Sequence, residues 1–175
     1  MPSDYLYYCP WASLGQSGRP PSPKCFYAAS GQFDHMRLCA GDTIWHVSLR
    51  PLRPDGRLPG TLLLRGRLVV DFVTDDAGEA RRRLAHYVAE YAPRPASSHA
   101  FAREGGEEPY AEVPIDDLAR DLRFRGKHDR LTLADGHVDP RQLRAMRRLT
   151  SESAALLLRR WEEHRGLLAA GRGTW

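Results

Sequence analysis

The chain has 175 residues, 42% hydrophobic and 27% charged, with a mean hydropathy of −0.53. That is apolar material enough for one domain with its own core, and no apolar run approaches the ~20 residues of a membrane-spanning helix. The net charge of +4 and isoelectric point of about 9.2 come almost wholly from arginine, since only Lys24 and Lys127 among 26 basic residues are lysines; a high-GC genome gives this bias, and it is also compatible with nucleic acid because the planar fork suits phosphate and base edges.

"DYLYYC" suits a first strand. "PWASLGQSGRPPSPK" is dense in Pro, Gly and Ser and reads as a long loop, a class that is more often functional than accidental. "CFYAAS" is a short extended piece and "QFDHMRL" a helical turn. After the turn residues "AGD", "TIWHVSL" alternates two faces: Trp45, Val47 and Leu49 on one, Ile44, His46 and Ser48 on the other. "RPLRPDGRLPG" connects it to "TLLLRGRLVVDFV", a long strand with Leu62, Leu64, Leu68, Val70 and Phe72 assigned to one side. Gly66 marks a bend or bulge in that strand.

"DDAGEARRRLAHYVAEY" is a helix, acidic at its start, with Leu84, Val88 and Tyr91 at helical spacing and Pro93 to stop it. "SSHAFARE" returns as a strand, "GGEEPYAEVP" is loop, "IDDLARDLRF" is a turn or short helix, and "DRLTLADG" is a small hairpin. Asp139 and Pro140 form an N-cap and first helical residue, and Thr150 or Ser151 caps a helix striped by Ala154, Leu157 and Trp161. The order predicts an α+β fold, a small barrel with hairpin-connected strands and short flanking helices, in a single domain over residues 1–165. Residues 166–175 read as a tail or the start of a linker.

Several chemistries have no signature here. No Walker loop, dinucleotide fingerprint or nucleophile elbow occurs, and the chain contains no asparagine, which argues against an HNH-type nuclease. Cys9, Cys25 and Cys39 are odd in number and lie apart, so neither a disulfide framework nor a zinc site is expected. The paired carboxylates read as caps or solvated surface, and neither a catalytic residue nor a metal or cofactor is assigned. With no basic segment followed by an apolar one at the N-terminus, a reduced cytoplasmic location is expected.

"FDHMRLCAGDTIWHVSL" followed by "GTLLLRGRLVVDFV" resembles the central motif of EVE domains, PUA-like modules related to YTH domains. "VPIDDLARDLRF" and "LRAMRRLTSESAALLLRRW" resemble the end of that family, so the likeness runs in order over most of residues 4 to 164. The family's Trp-Asp-Gly-Val-Arg-Asn segment is replaced by "KCFYAASGQF", so an aromatic contributed there is Phe26, Tyr27 or Phe33.

The resemblance implies a PUA-like, EVE-type barrel that takes an extruded modified base, most simply a modified cytosine in DNA, into an aromatic pocket. A fused or partner nuclease or ATPase of a restriction or defence system would accompany it. Trp11 and Trp45 would be the walls, Phe26 or Tyr27 a third side, and Ser13, Ser30 and Ser48 the edge contacts. Arg19, Lys24, Arg50 and Arg53 would hold the nucleic-acid backbone. Stacking on such walls is worth ~1–3 kcal/mol per base. Against this, the strand alternation puts Trp45 beside Val47 and Leu49, the pattern of a core residue, and Trp161 on a helical stripe. Two rivals stand beside the reader: an ASCH-like hydrolase of a modified nucleoside, using Lys24 or Lys127 with a glutamate, and a protein-interaction module without a working pocket.

Overall fold

The computed structural model describes residues 2–10, 24–52, 60–87 and 96–169. Its elements run β1 (Asp4–Tyr8), β2 (Lys24–Cys25), β3 (Tyr27–Ala29), α1 (Gln32–Met36), β4 (Thr43–Pro51), β5 (Gly60–Thr74), α2 (Ala77–Tyr87), β6 (His99–Ala102), β7 (Glu108–Pro109), β8 (Val113–Pro114), β9 (Leu133–Ala134), β10 (His137–Val138), a 3-10 turn (Pro140–Leu143), β11 (Arg147–Arg148) and α3 (Ser151–Ala169). The α+β class therefore stands.

Seven strands form one sheet in the order β11-β1-β4-β5-β6-β3, with β8 paired to β5 off this path. Two features differ from the expected barrel. The path ends at β11 and at β3, which do not pair with each other, so the described strands do not close. The central β1–β4 pair is parallel, Tyr5 opposite Ile44 and Leu6 opposite Trp45. It is a crossover connection rather than a hairpin.

The 15-residue β5 organises the rest. It pairs antiparallel with β4 from Gly60 to Val69, with β8 at Leu63 and Leu64, and with β6 from Val70 to Thr74. The register slips where His46 faces Gly66 but Val47 faces Leu64, leaving Arg65 as the extra residue of a bulge. An extra residue reverses the face of everything beyond it. Leu62 and Leu64 therefore join Trp45, Val47, Ile115, Leu157 and Trp161 in one core, while Leu68 and Val70 join Ile44, Phe33 and Met146 in another. A second slip between Val70 and Phe72 turns Phe72 toward a third cluster built on Phe26, Tyr27, Leu84 and Phe101. The single-sided stripe expected for this strand is thus split into three segments.

The helices sit where their apolar faces point. Leu84 and Ala80 anchor α2, and Ala154, Leu157 and Trp161 anchor α3; each fully buried large side chain contributes ~1.5–3 kcal/mol. Asp76 caps α2 by accepting from the N–H of Gly78 at 2.7 Å and of Glu79 at 3.2 Å. Thr150 Oγ1 accepts from Ser153 N at the start of α3. That helix is described as far as Ala169, and residues 170–175 lie outside the described residues. No described helix is long and apolar enough to cross a membrane.

Candidate nucleic-acid interface

The C-terminal third of the chain folds into a cradle. Phe124 N donates to Asp129 O at 2.9 Å, closing a loop that turns at Gly126, whose φ is +116°. The hairpin β9–β10 follows, turning on Asp135 and Gly136, both at positive φ (50° and 82°). That is the two-residue turn which Asp-Gly favours because its twist matches the strands. Asp139 then accepts from Arg141 N at 2.9 Å and, with Pro140, starts the 3-10 turn as the sequence indicated. β11 finally returns beside β1.

Between this stretch and α1 lies an open groove of about 830 Å3. Arg125, Lys127, Arg130, Arg141, Arg147 and Arg148 line it with His128, against one carboxylate among the described residues, Asp129. Among the described residues only Arg130 of these six cations reaches a carboxylate, Asp129 at 3.9 Å. Elsewhere several arginines are matched, Arg82 and Arg83 by Glu79, Arg103 by Asp71 and Arg160 by Asp117, whereas the exposed Arg37, Arg81, Arg120, Arg144 and Arg159 stand singly without a carboxylate among the described residues. What sets the groove apart is that its cations are gathered on one concave surface. Clustered cations without counter-charges repel one another and concentrate anions.

Three side chains fix the walls. Gln32 on α1 accepts from Met146 N and donates through Nε2 to Arg144 O at 3.0 Å, joining α1 to the approach of β11. Gln142 accepts from Thr132 N at 2.7 Å, joining the 3-10 turn to the hairpin. Arg147 lays its guanidinium 3.7 Å from the centre of the Phe124 ring and donates to the carbonyls of His128 and Arg130. Burial pulls the Arg147 guanidinium below its ordinary value, with the Asp129 charge acting the other way. A desolvated cation of this kind gains from an incoming anion. The groove is a shaped surface, not a fringe of loose side chains.

The residues expected from the sequence are dispersed. Trp11, Ser13, Arg19 and Arg53 lie outside the described residues. Trp45 is 1% exposed, its ring within the first core and its Nε1 bonded to Asp4, so the core reading holds and it offers no free stacking face. Phe26 and Tyr27 belong to the third core instead, Phe26 stacked on Tyr87 at 4.5 Å and Tyr27 hydrogen-bonded to His99 Nδ1 at 2.9 Å. Trp45 therefore shares no cluster with its expected third wall. Ser48 is fully buried, and Ser30 Oγ accepts from Gln32 N. Lys24 pairs with Glu107 at 3.7 Å and Arg50 with Glu112 at 2.9 Å.

No protein-family model matches the chain, and no curated protein matches it. Among the described residues no group of three or more His, Cys, Asp or Glu is placed to hold a metal ion.

The groove escaped the sequence reading because its arginines are spread over 24 residues, from Arg125 to Arg148, and look like solvated surface. One signal was present: seven cations, Arg144 and the six that line the groove, stand in that stretch with Asp129, Asp135 and Asp139 as its only acids, and two of these three serve a turn and a cap.

Proposed function

We propose that the protein is a nucleic-acid-binding domain of PUA-like, EVE-type architecture with no catalysis of its own. It holds phosphates in the groove between α1, the 124–130 loop and the 3-10 turn. The observation that carries this is the charge imbalance of the groove, six permanent cations against Asp129. Neutralising several phosphates releases condensed counterions, which gives affinity that falls steeply with salt.

The finer reading rests on the likeness of the Gly41–Asp42 turn, β4 and the Gly66-centred β5 to the EVE motif: the ligand carries an extruded modified base, a modified cytosine in DNA before any other. With Trp45 in the core, the wall for that base falls to Trp11, which lies outside the described residues, with the recognition module serving a nuclease or ATPase partner in the cytoplasm. Titration with duplexes bearing 5-methyl-, 5-hydroxymethyl- and glucosylated cytosine, and with unmodified DNA and RNA, tests both levels. Preference for one modified duplex supports the reader; equal, salt-dependent binding to all leaves only the phosphate-binding domain; no binding to any ends the proposal.

A second reading has one observation in its favour. Lys24 and Glu107, a lysine and a glutamate as in ASCH-like hydrolases, stand 3.7 Å apart, with the Glu107 side chain only 6% exposed. Turnover of modified nucleosides that disappears in both Lys24→Met and Glu107→Gln would favour it over the binding domain.

A further inference from the structure

The groove is not only a charged surface. Met36 from α1, Ala145 and Met146 line it together with the arginines, and Met146 also belongs to the second core. A surface that met only the outside of a duplex would have no use for a concave apolar floor, since a stacked helix presents phosphates and keeps its ring faces covered. The volume of about 830 Å3 falls within the ~300–1,000 Å3 of clefts that bind a small ligand.

We propose that this groove is a nucleotide subsite: it takes one unstacked, unmodified nucleotide, its base lying on the half-buried Met36 and the small exposed edge of Met146, which is 5% exposed, and its flanking phosphates among Arg125, Lys127, Arg130 and Arg141. The proposal rests on the nucleic-acid reading above and adds a base contact apart from any pocket at Trp11. Polarizable thioethers make favourable contacts with aromatic rings, and the unbranched methionine chain adapts to rings of different size. The subsite is therefore tolerant of base identity, as stacking platforms are. Gln32, which joins α1 to residues 144–146, keeps the two methionines in register.

The experiment compares three labelled probes by fluorescence anisotropy: a single-stranded oligodeoxynucleotide, the same backbone made abasic, and the corresponding duplex. The base-bearing strand is expected to bind about tenfold tighter than the abasic one. Met36→Ala should remove most of that ratio, whereas Arg141→Glu should weaken both strands together. A measurement on the unaltered protein guards against a variant that fails to fold: the base-bearing strand should slow peroxide oxidation of Met36, followed by peptide mass, and the abasic strand should not. Equal affinity for the two strands, or equal oxidation of Met36 under both, overturns the subsite and leaves the phosphate-binding reading standing. Absence of binding to all three probes, abasic strand included, removes that reading and the subsite with it.

Discussion

Nε1 of Trp45 donates to Oδ1 of Asp4 at 3.0 Å, joining the neighbouring strands β4 and β1 through their side chains. A ring 1% exposed and tied in this way is committed to the core. Trp45→Ala is expected to cost ~3–5 kcal/mol, as large-to-small changes at buried aromatic sites do. Asp4→Ala, which leaves the indole N–H without its acceptor, should cost ~1–3 kcal/mol. Urea unfolding measures both; nucleic-acid affinity of the folded fraction should be unchanged.

The carboxylate of Glu108 accepts from Trp161 Nε1 at 2.5 Å and meets Arg67 at 2.6 Å, so one side chain fastens α3 to β5. Glu108→Ala strands a largely buried guanidinium and an indole donor, with an expected loss of ~3 kcal/mol. Glu108→Gln keeps an acceptor and should lose less. The two variants are ranked by their denaturant midpoints.

Gly66 sits at the bulge of β5, where a Cβ would come within 3.1 Å of Cys25 Cβ and 3.2 Å of Tyr110 Cδ1. Gly66→Ala is expected to destabilise by ~1–3 kcal/mol, the usual cost of overpacking. Gly136→Ala should also destabilise, but for a different reason: space is open there and the strain is in the backbone, at φ +82°. Thermal melts of the two proteins, with a crystal structure of Gly66→Ala showing displaced Cys25 or Tyr110, check the distinction.

Much of the fold was readable because local signals agreed with it. The alternation of "TIWHVSL", the Asp139-Pro140 start and the Ala154–Leu157–Trp161 stripe each lead directly to an observed element. The faces of β5 were not readable: Gly66 announced an irregularity, but only pairing with β4 shows that Arg65 is the extra residue. The parallel β1–β4 pair joins segments about forty residues apart in the chain, with β2, β3 and α1 between them, which no local pattern encodes. For the candidate site, sequence reasoning looked for aromatic rings; Trp45, Phe26 and Tyr27 are committed to packing, and Trp11 lies outside the described residues. The groove depends instead on which arginines lack carboxylates nearby in space, and a linear chain does not display that.

Charge reversal tests the groove. Arg130→Glu and Arg141→Glu, both exposed positions, should weaken binding to all nucleic-acid sequences alike. Each lost phosphate contact should reduce the slope of log K against log salt by about 1. Arg82→Glu on α2, outside the groove, should leave affinity and slope unchanged. Salt titrations of the three variants give the comparison.

Stability should decline on the acid side in two separate steps. Burial holds the His99 ring below its ordinary value of 6.5, opposed by the hydrogen bond the ring donates to the Ala96 backbone. Its neutral form is favoured on folding, so its contribution is complete above pH 6.5 and is lost as pH falls through the lower folded value. Hydrogen bonding to Arg160 holds Asp117 below 3.8, and the N–H groups of Glu79 and Gly78 do the same for Asp76. Their share is complete above pH 3.8 and disappears below it. Melting temperature followed from pH 8 to pH 2.5, at about half-unit steps, should show both declines; His99→Gln should remove the first only.

Among the described residues, the lining of the groove comes from one continuous run, residues 125–148, with Met36 added from α1. The sheet that supports it is drawn mainly from residues 4–74, and the run itself gives the cores little more than Leu131, Val138, Leu143 and Met146. Scaffold and contact surface are thereby written in separate passages of the gene. Substitutions within one short passage can retune what the surface binds while the strands that hold it stay as they are, which makes ligand preference the most freely evolving property of this architecture.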